Sequence, residues 1–410
     1  MIKLHKYAFS DLYAISSGIS SSKSQAGHGD PFVSFSTVFN NYFLPDELPD
    51  LMATSEQEQE TYSIKKGDIL VTRTSETVDE LAMSCVALKD YPRATYSGFT
   101  KRLRPKTVGI AYDKFMAFYL RSKYFRKVID CNTIMTLRAS FNEDIFSFLH
   151  LYLPDYDEQI KIGNFLYNIE KIIQIHNRIN SNLQQMVKLI YKYWFTQFDF
   201  PDENGKPYRS SGGQMVWNEQ LKRMIPVGWE VKSLSEILKK NTHVFDYQSD
   251  QPTIDLSVMP SDSIALSQLN SSSNFSSNLF QMKEGDILFG AIRPYLHKAG
   301  IAPCDGVVAG TVHSYKVIRE NDYNFALITL CQDIFFDYAV NISSGTKMPV
   351  VSSDALLAYR VPYSEDIVSR FNKICLQQTI SKNVQENQEL IKLRDWLLPM
   401  LMNGQATIAD

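Results

Sequence analysis

The most regular pattern of apolar and polar positions lies near the middle of the chain. Between Asp157 and about Gln197, seam-type residues recur at alternating steps of four and three, which predicts a long coiled-coil helix. These residues are Ile162, Leu166, Ile169, Ile173, His176, Asn180, Leu183, Val187, Ile190 and Trp194. Pro154 and the following acids suit the start of a helix, because carboxylates favour its positive end. About forty residues would span roughly 60 Å, which is too long for one small domain.

A second segment with this pattern closes the chain. It follows Pro362, begins at Ser364 and is predicted to run as one helix to Pro399. A constant shift of 207 positions matches its residues with those of the first helix. The matched pairs are Ile160 with Ile367, Ile169 with Leu376, Ile173 with Ile380, Asn180 with Asn387, Leu183 with Leu390, and Ile190 with Leu397. The chain therefore contains an internal duplication.

The regions in front of the two helices share a shorter motif. K-K-G-D-I-L-V-T-R at 65–73 and K-E-G-D-I-L-F-G-A-I-R at 283–293 both contain G-D-I-L. Between the halves, the segment 199–228 contains D-E-N-G-K-P and S-S-G-G clusters, which are typical of turns. The chain order is therefore globular region, helix, linker, globular region, helix.

Three segments carry a resemblance to a known family. They are FDFPDENGKPYRSSGGQMVWNEQLKRMIPVGWEV, GDILFGAIRPYLHKAGIAPCDG and ENQELIKLRDWLLPMLMNGQ. Together they resemble the specificity subunit of type I restriction-modification systems, over essentially the whole chain and in the same order. The resemblance implies an α/β (α+β) fold in which two globular target-recognition domains alternate with two long helices, paired as an antiparallel coiled coil. The expected boundaries are 1–154 and 229–362 for the recognition domains, 155–198 and 363–410 for the helices and tail, and 199–228 for the linker.

The same resemblance implies the function and the partners. Each recognition domain is expected to read one half of a split, asymmetric target in double-stranded DNA. The subunit is expected to have no catalytic centre and no cofactor. It is expected to dock two copies of an adenine methyltransferase subunit and, through them, restriction-translocase subunits. In one departure, Met135-Thr136 stands in the first half where the second half has Gly345-Thr346, so a DNA role for that loop does not carry over directly.

Composition limits the other functions. The 410 residues carry 42 Lys+Arg against 45 Asp+Glu, for a net charge of −3. Any contact with nucleic acid must therefore use local basic patches or charge from partners. The five cysteines form no C-x-x-C pair, which indicates neither a disulfide framework nor a zinc site. Without a signal-peptide pattern or an apolar run of about eighteen residues, the chain is expected to be cytoplasmic, with no membrane partner.

Candidate DNA-contacting residues of the first half lie between Tyr91 and Thr107. This segment has no acid, and its cations are interleaved with aromatic residues, a combination typical of phosphate contacts. The candidates are Arg93, Lys101, Arg102 and Arg104. The alternative is a solvated strand edge that charge protects from pairing.

In the second half, candidate residues follow an apolar strand directly. They are Arg293, Tyr295, His297 and Lys298. Arg293 is the base-reading candidate, because arginine can bond guanine bidentately in the major groove. Lys347, in the S-S-G-T-K-M-P loop, is a candidate for phosphate contact. The alternatives are an exposed turn charge for Arg293 and a tight strand connection for the Lys347 loop.

The helix seam contains polar residues, which cost stability and can fix the register and orientation of a helix pair. The candidate helix-pairing residues are Ile169, Ile173, His176, Asn180, Leu183, Ile190, Asn387, Leu390 and Leu397. A buried histidine with ordinary partners is the alternative for His176. No metal site is expected there, because Ile172, Ile173, Ile179 and Asn180 surround it on the helix and include no second ligand of the usual kinds.

Catalytic motifs fit the chain poorly. Pro201-Asp202 and Glu230-x-Lys232 match the loose PD…ExK spacing of metal-dependent nucleases, but Asp202 lies in a turn-forming segment. A methyltransferase tetrapeptide of the Asn/Asp-Pro-Pro-aromatic kind and a P-loop are both missing from the sequence. The alternative from another class is a coiled-coil scaffold or adaptor that does not read DNA. Two diverged globular halves favour the DNA reader, since a scaffold gains little from such divergence.

Overall fold

The chain forms two compact units in a computed structural model. Unit 1 is Met1–Lys171 together with Leu390–Asp410, and unit 2 is Ile172–Glu389. Both unit boundaries fall within long helices, so each unit contains one globular region and part of each long helix. The structure describes residues 3–20, 22–75, 80–132, 139–246, 249–374 and 376–408.

Unit 1 is built on short strands. In chain order they are β1 (His5–Ala8), β2 (Tyr13–Ser17), β3 (Ala26–Val33), β4 (Asp50–Met52), β5 (Ile69–Thr72), β6 (Thr74–Ser75), β7 (Ser84–Val86), β8 (Thr95–Tyr96), β9 (Thr100–Pro105), β10 (Ala139–Ser140) and β11 (His150–Leu153). An antiparallel sheet has the order β2-β9-β5-β7, and a second sheet has the order β4-β3-β8. All four residues of β5 are buried, as expected for an apolar strand in the middle of a covered sheet.

Helices cover the sheets of unit 1. They are α1 (Phe9–Leu12), α2 (Phe35–Asn40), α3 (Glu56–Thr61), α4 (Asp113–Tyr119), α5 (Lys123–Asn132) and α6 (Glu143–Phe148). The Asn142 side chain caps α6 by accepting a hydrogen bond from the Ile145 N–H at 2.9 Å, which satisfies an otherwise unpaired helix-end donor. The main core joins Phe115 and Phe118 of α4 with Leu166 of the first long helix.

Unit 2 is also built on short strands. They are β12 (Met215–Asn218), β13 (Arg223–Pro226), β14 (Glu230–Ser233), β15 (Leu238–Lys240), β16 (Pro252–Ile254), β17 (Asn270–Ser271), β18 (Leu279–Met282), β19 (Ile287–Gly290), β20 (Ala299–Ile301), β21 (Gly306–Ala309), β22 (Val312–Val317) and β23 (Arg360–Tyr363). Two four-stranded sheets have the orders β15-β22-β19-β20 and β17-β16-β21-β18. The segment expected to be a linker of turns contains the β12-β13 hairpin, and its Phe200 stacks on Tyr208 and Trp229.

The helices of unit 2 follow its sheets. They are α8 (Tyr323–Leu330), α9 (Asp333–Ile342), α10 (Ser353–Leu357) and α11 (Glu365–Asn372). Every residue of α8 is buried, and its Phe325 packs against Tyr191 and Phe195 from the end of the first long helix. The core of unit 2 therefore includes the carboxyl end of that helix.

The two units repeat one arrangement. The sheet β2-β9-β5-β7 in unit 1 corresponds to β15-β22-β19-β20 in unit 2, and β5 and β19 carry the two G-D-I-L motifs. The glycine before each strand has a left-handed φ, +86° at Gly67 and +83° at Gly285, which other residues adopt at a cost. Asp68 and Asp286 each accept a backbone N–H from three residues earlier, at 2.8 Å. The repeated motif is therefore a turn that starts a buried strand.

The first long helix is α7 (Tyr156–Tyr191), and one π-helical turn extends it over Lys192–Thr196. This agrees with the predicted helix from Asp157 to about Gln197. The second long helix is α12 (Leu376–Met402). Contacts between α7 and α12 join increasing residue numbers on one helix with decreasing numbers on the other, so the expected antiparallel pairing of two long helices in a mixed α/β fold is confirmed.

The second helical segment differs from its prediction as one helix from Ser364 to Pro399. It is divided into α11 and α12, because the buried Asn324 side chain donates to the Asn372 carbonyl at 3.2 Å and to the Ile374 carbonyl at 2.6 Å. A continuous helix would use those carbonyls for its own hydrogen bonds. Pro399 does not end α12, which continues for three more residues. The buried Leu401 and Met402 pack in the core of unit 1 and hold this last turn in place, although proline lacks the N–H donor.

Within the described ranges, we find no single helix that is long and apolar enough to cross a membrane. One pair, Glu320–Leu330 and Asp333–Ile342, passes the length and composition test only when joined, and it is bent by 70°. The α8 part of this pair is core of unit 2.

Candidate nucleic-acid interface

Two loops of unit 2 lie side by side at the end of β19. The 291–298 loop follows β19, and the 343–350 loop follows α9. A β-bridge joins Ile292 to Val350, and the Arg293 N–H donates to the Pro349 carbonyl at 2.8 Å. The structure therefore brings Arg293 and Lys347, which are 54 positions apart in the chain, onto neighbouring loops.

The side chains on these two loops are accessible. Arg293 and Lys347 are exposed, and Tyr295 is 51% exposed. Among the residues that the structure describes, neither the guanidinium group nor the ammonium group has an ion-pair partner. Arg293 has a left-handed backbone, with φ of 53°, at the start of a single 3-10 turn, Pro294–Leu296. An unpaired cation beside an exposed aromatic ring can contact a base edge or a phosphate.

The other two candidates of this loop are held inside unit 2. Lys298 Nζ donates to the Leu256 carbonyl at 2.8 Å. The His297 ring stacks on Phe336, with ring centroids 4.4 Å apart, and its Nδ1 lies 3.2 Å from Asp262 Oδ1 and 3.7 Å from Asp333 Oδ1. His297, Asp262 and Asp333 form a group of one histidine and two carboxylates that can hold a metal ion. Their spacing along the sequence did not predict this group. In this arrangement the contacts of His297 and Lys298 fix the base of the loop.

The four cationic candidates of unit 1 differ in exposure, and each has a partner within the fold. Lys101 and Arg102, on β9, are 6% and 8% exposed. Lys101 Nζ lies 3.5 Å from Glu143 Oε1, and Arg102 donates to the Ser63 carbonyl and packs over Tyr96. The local sequence contains no acid, but the fold supplies one from a distant segment. Lys101 and Arg102 are therefore mostly buried and engaged within the fold, and DNA contact by these residues stays a prediction.

Arg104 and Arg93 also have acidic partners. Arg104 makes a bidentate pair with Asp68, at 2.8 Å from Nε and 2.6 Å from Nη2, and this pairing raises the pKa of the guanidinium. Asp68 is fully buried, so the pair lies partly inside the unit. Arg93 is more exposed, and its Nη2 lies 2.9 Å from Asp30 Oδ1. Arg93 has the most accessible side chain of the four predicted cations.

Two exposed residues of unit 1, Arg73 and Phe99, are not among the candidates predicted from the sequence. Arg73 follows β5 directly, its N–H donates to the Phe99 carbonyl at 2.8 Å, and its carbonyl accepts from Phe141 N–H at 2.8 Å. The Ala291 carbonyl accepts from Val351 N–H in the same way in unit 2, so Arg73 occupies the position that precedes the candidate loop. Phe99 is 65% exposed. The duplicated G-D-I-L motif, which lies just before Arg73 in the first half, is the sequence signal that could have identified this residue. Met135-Thr136 lies outside the described residues.

The predicted polar seam residues meet within unit 2. His176 Nδ1 lies 2.9 Å from Asn387 Oδ1, and the Asn383 amide donates to Asn180 Oδ1 at 2.8 Å. Asn387 also donates to Asn177 Oδ1 at 3.0 Å. Polar seam residues that bond one another disfavour shifted pairings, in which the same groups would be buried without partners.

The apolar seam candidates are divided between the units. Ile173 is buried, and Leu183 and Ile190 pack half-buried on the core of unit 2. Ile169 is buried in unit 1, while Leu397 packs on the core there and Leu390 is half-buried. An ion pair in unit 1 joins Arg394 to Glu170 at 2.9 Å, and both side chains are 13% exposed.

The residues of the weak nuclease motif have local roles. Asp202 Oδ1 accepts the N–H groups of Asn204 and Lys206 at 2.8 and 2.9 Å, which closes a turn. Glu230 lies 2.9 Å from Lys232 Nζ. These contacts stabilise a turn and a strand end.

The chain is similar to known proteins of one kind. Residues 5–185 match the family model for the type I restriction modification DNA specificity domain. The chain is 23% identical over 366 residues to the MjaIX type I restriction enzyme specificity subunit of Methanocaldococcus jannaschii, over 84% of this chain and 79% of that protein. It is 21% identical over 449 residues to the HindI specificity subunit of Haemophilus influenzae, over 91% and 94% of the two chains.

A solved structure shares the fold. The crystal structure of the type I restriction-modification S subunit from M. genitalium matches with a TM-score of 0.54 at 14% identity, over 98% of this chain and 96% of that one. The resemblance read from the sequence is thus confirmed by a family model, by relatives aligned over most of the chain and by a shared fold. The chain is thus similar over most of its length to type I restriction-modification specificity subunits, the DNA-recognising, non-catalytic components of those systems, and its residues 5–185 match their DNA specificity domain.

Proposed function

We propose that this subunit reads a bipartite, asymmetric target in double-stranded DNA, with one half-site read by residues 1–154 and the other by residues 229–362. The observation that carries this proposal is the repetition of one strand order in two units whose loops differ. A duplicated framework with diverged loops supports two readers of different sequences. A scaffold that does not read DNA has no use for this divergence.

Arg293 and Lys347 have different roles at the second half-site. Arg293 is exposed on a short loop, where it can reach a guanine in the major groove and make two hydrogen bonds. Lys347 contacts phosphate and contributes affinity rather than sequence preference. In unit 1, the exposed residues Arg73, Arg93 and Phe99 contact the other half-site, since Lys101, Arg102 and Arg104 are engaged within the fold.

Exposed apolar residues on the long helices support docking of the methyltransferase subunit. On α7 and the π-helical turn that extends it, they recur at steps of three, four and seven, as a second seam would. These residues are Ile172, Ile175, Ile179, Met186, Leu189 and Tyr193. On α12, Leu393 and Trp396 are also exposed, and the shift of 207 matches them with Met186 and Leu189. Two equivalent surfaces support two copies of the methyltransferase subunit, which in turn bind the restriction-translocase subunits in the cytoplasm, where the DNA lies.

A domain graft tests the two-reader proposal. Residues 229–360 are replaced by the matching region of another specificity subunit, with both long helices kept, and the chain is expressed with its methyltransferase subunit. Long-read sequencing of the methylated DNA should show one half of the target changed and the other half preserved, because well-separated base contacts contribute almost additively. A change in both halves, or in neither, would contradict two independent readers. An intact complex that methylates no defined sequence would favour the scaffold.

The docking surfaces are tested separately by removing one apolar side chain from each. Leu189→Ser and Trp396→Ser should each reduce the complex from two methyltransferase subunits to one, as measured by native mass spectrometry. Val216→Ser, which changes another exposed apolar residue, on the β12-β13 hairpin, is the control and should leave two subunits bound. Two subunits bound in both helix variants would contradict these docking surfaces.

A further inference from the structure

Two buried glutamines of α7 make unusual contacts, and the first lies in unit 1. Gln159 is 1% exposed. Its Nε2 donates to the Ile110 carbonyl at 2.8 Å, and its Oε1 accepts from the Tyr112 N–H at 3.0 Å. Nε2 also donates to the Pro154 carbonyl at 2.8 Å. One side-chain amide therefore pairs with a carbonyl and with the N–H two residues later.

The second glutamine lies in unit 2 and repeats this pattern. Gln184 is 7% exposed. Its Nε2 donates to the Asp262 carbonyl at 2.7 Å, and its Oε1 accepts from the Ile264 N–H at 3.0 Å. Both amides thus bridge two backbone groups two residues apart, as a residue of a neighbouring parallel β-strand does. Such pairing fixes the position and the direction of the bridged backbone, which an apolar contact does not.

The bridged segment of unit 2 leads to the candidate recognition loop. Asp262 N–H donates to the His297 carbonyl at 2.9 Å, and Ile301 N–H donates to the Ile264 carbonyl at 3.0 Å. His297 lies at the carboxyl end of the 291–298 loop, which carries Arg293, and Ile301 lies in β20, which follows this loop. An unbroken path of hydrogen bonds therefore runs from Gln184 on α7 to the base of this loop.

The bridged segment of unit 1 is held to α7 at further points. Asn164 Oδ1 accepts from the Tyr112 hydroxyl and from Lys114 Nζ, both at 2.9 Å. A side chain at Gly163 would place its Cβ 2.7 Å from the Phe115 backbone nitrogen, so glycine is needed for the close approach of α4 to α7. Residues 110–112 connect β9 to α4 and are thus fastened to the helix.

We propose that Gln159 and Gln184 are positioning residues, each of which fixes the direction in which its own globular region is attached to α7 and thereby aligns that region with its half-site. This inference rests on the proposed DNA reading. Burying an amide is costly unless its groups are paired, so leucine would fill either position more cheaply if packing were its only role. The shift of 207 places Asp366 and Ile391 at the corresponding positions of the second helical segment, so the repeat of α7 has no glutamine at either position.

The test compares Gln184→Leu and Gln159→Leu with Gln185→Leu in the full complex. Gln185 is exposed on the same helix, which makes it a matched control. Methylation is measured on targets whose spacer between the half-sites is normal, one base pair shorter or one base pair longer. Small misplacements of a reacting group reduce rates steeply, so the wild type should discriminate strongly among these spacers. Each Leu variant should lose about tenfold or more of that discrimination, and the control should lose none.

Gln184→Asn and Gln159→Asn provide a second test in case the leucine variants fail to fold. Each keeps the amide but is one methylene too short to bridge both backbone groups. Thermal unfolding is recorded for every variant. Folded Leu or Asn variants with wild-type spacer discrimination would overturn the inference, whereas a wild-type complex without a bipartite target would refute the proposed function itself. The two failures are therefore distinguishable.

Discussion

The candidate cations of the two units occupy contrasting environments. In unit 1, Lys101, Arg102 and Arg104 lie on β9 with acids or carbonyls as partners. In unit 2, Arg293 and Lys347 lie exposed on neighbouring loops. The basic strand looks more like a nucleic-acid face in the sequence, yet the cations of the loops are the more exposed. A count of local charge does not include the acids that the fold brings from elsewhere.

The difference extends to the aspartates of the two G-D-I-L motifs. Asp68 of unit 1 is paired with Arg104. Asp286 of unit 2 is 5% exposed and accepts instead from the Ser314 hydroxyl at 3.0 Å. Burial raises the pKa of the Asp286 carboxyl above its ordinary value, although Ser314 and nearby groups oppose the rise. The basic residues of β9 therefore have a role inside the fold, because Arg104 compensates the buried Asp68 carboxylate.

The largest expected effect comes from breaking the ion pair of unit 1. Asp68→Asn should lower the free energy of unfolding by about 3 kcal/mol, because the Arg104 guanidinium loses its bidentate carboxylate in a partly buried position. Urea denaturation measures the change. Asp46→Asn is the control, since its pair with Lys89 lies on the surface and should contribute about 0.5 kcal/mol. Equal small losses in both variants would mean that the Asp68 pair is solvated and has no special structural role.

Removing an exposed cation of unit 2 should change the DNA sequence preference and leave the free energy of unfolding unchanged. Arg293→Ala should relax the preference at one base pair of the target by about 2 kcal/mol, because the bidentate contact to guanine is lost. Methylation of a library of target variants by the full complex measures the preference. Its unfolding curve should match that of the wild type. Equal weakening on every sequence would show instead that Arg293 contacts phosphate.

A smaller and uniform effect is expected for Lys347→Ala. Loss of one phosphate contact should weaken binding by about 1 kcal/mol on all sequences and reduce the slope of log K against log salt by about one. Fluorescence anisotropy of labelled DNA with the complex, at several salt concentrations, measures both quantities. Lys239→Ala, an exposed lysine on β15 of the same unit, is the control for net charge. Equal effects of the two variants would mean that only overall charge is sensed.

Long local patterns allowed the sequence to predict much of the fold. The seam from Ile162 to Trp194 extends over many turns, so its period determined the helix well. The repeated G-D-I-L motif marked equivalent strands because a glycine with positive φ and a capping aspartate are local requirements. The division between α11 and α12 was not predictable, since it depends on Asn324, a residue of another helix.

The candidate site was less predictable, because its properties arise from tertiary contacts. Acids distant in sequence neutralise the cations of β9, and the Arg293 and Lys347 loops meet through a bridge between Ile292 and Val350. Gln159 and Gln184 carry no sequence signal, since a glutamine on a long helix is ordinarily exposed. A bridging glutamine differs from a solvent-exposed glutamine in the backbone groups that lie opposite its side chain. The sequence does not show those groups.

The smallest expected effect concerns Asp286, the aspartate that lacks an arginine. Its folded-state pKa is raised by burial, so protonation favours the folded state, and the stabilising contribution is complete below the unfolded pKa of about 3.9 and lost as pH rises through the folded value. Asn is neutral throughout and keeps the oxygen that accepts the Lys283 N–H. Asp286→Asn should therefore match the wild type near pH 4 and be more stable at pH 7 by less than about 1 kcal/mol. Urea denaturation across this range measures the gain, and a loss of stability at pH 7, as expected for Asp68→Asn, would show that Asp286 has a hidden positive partner.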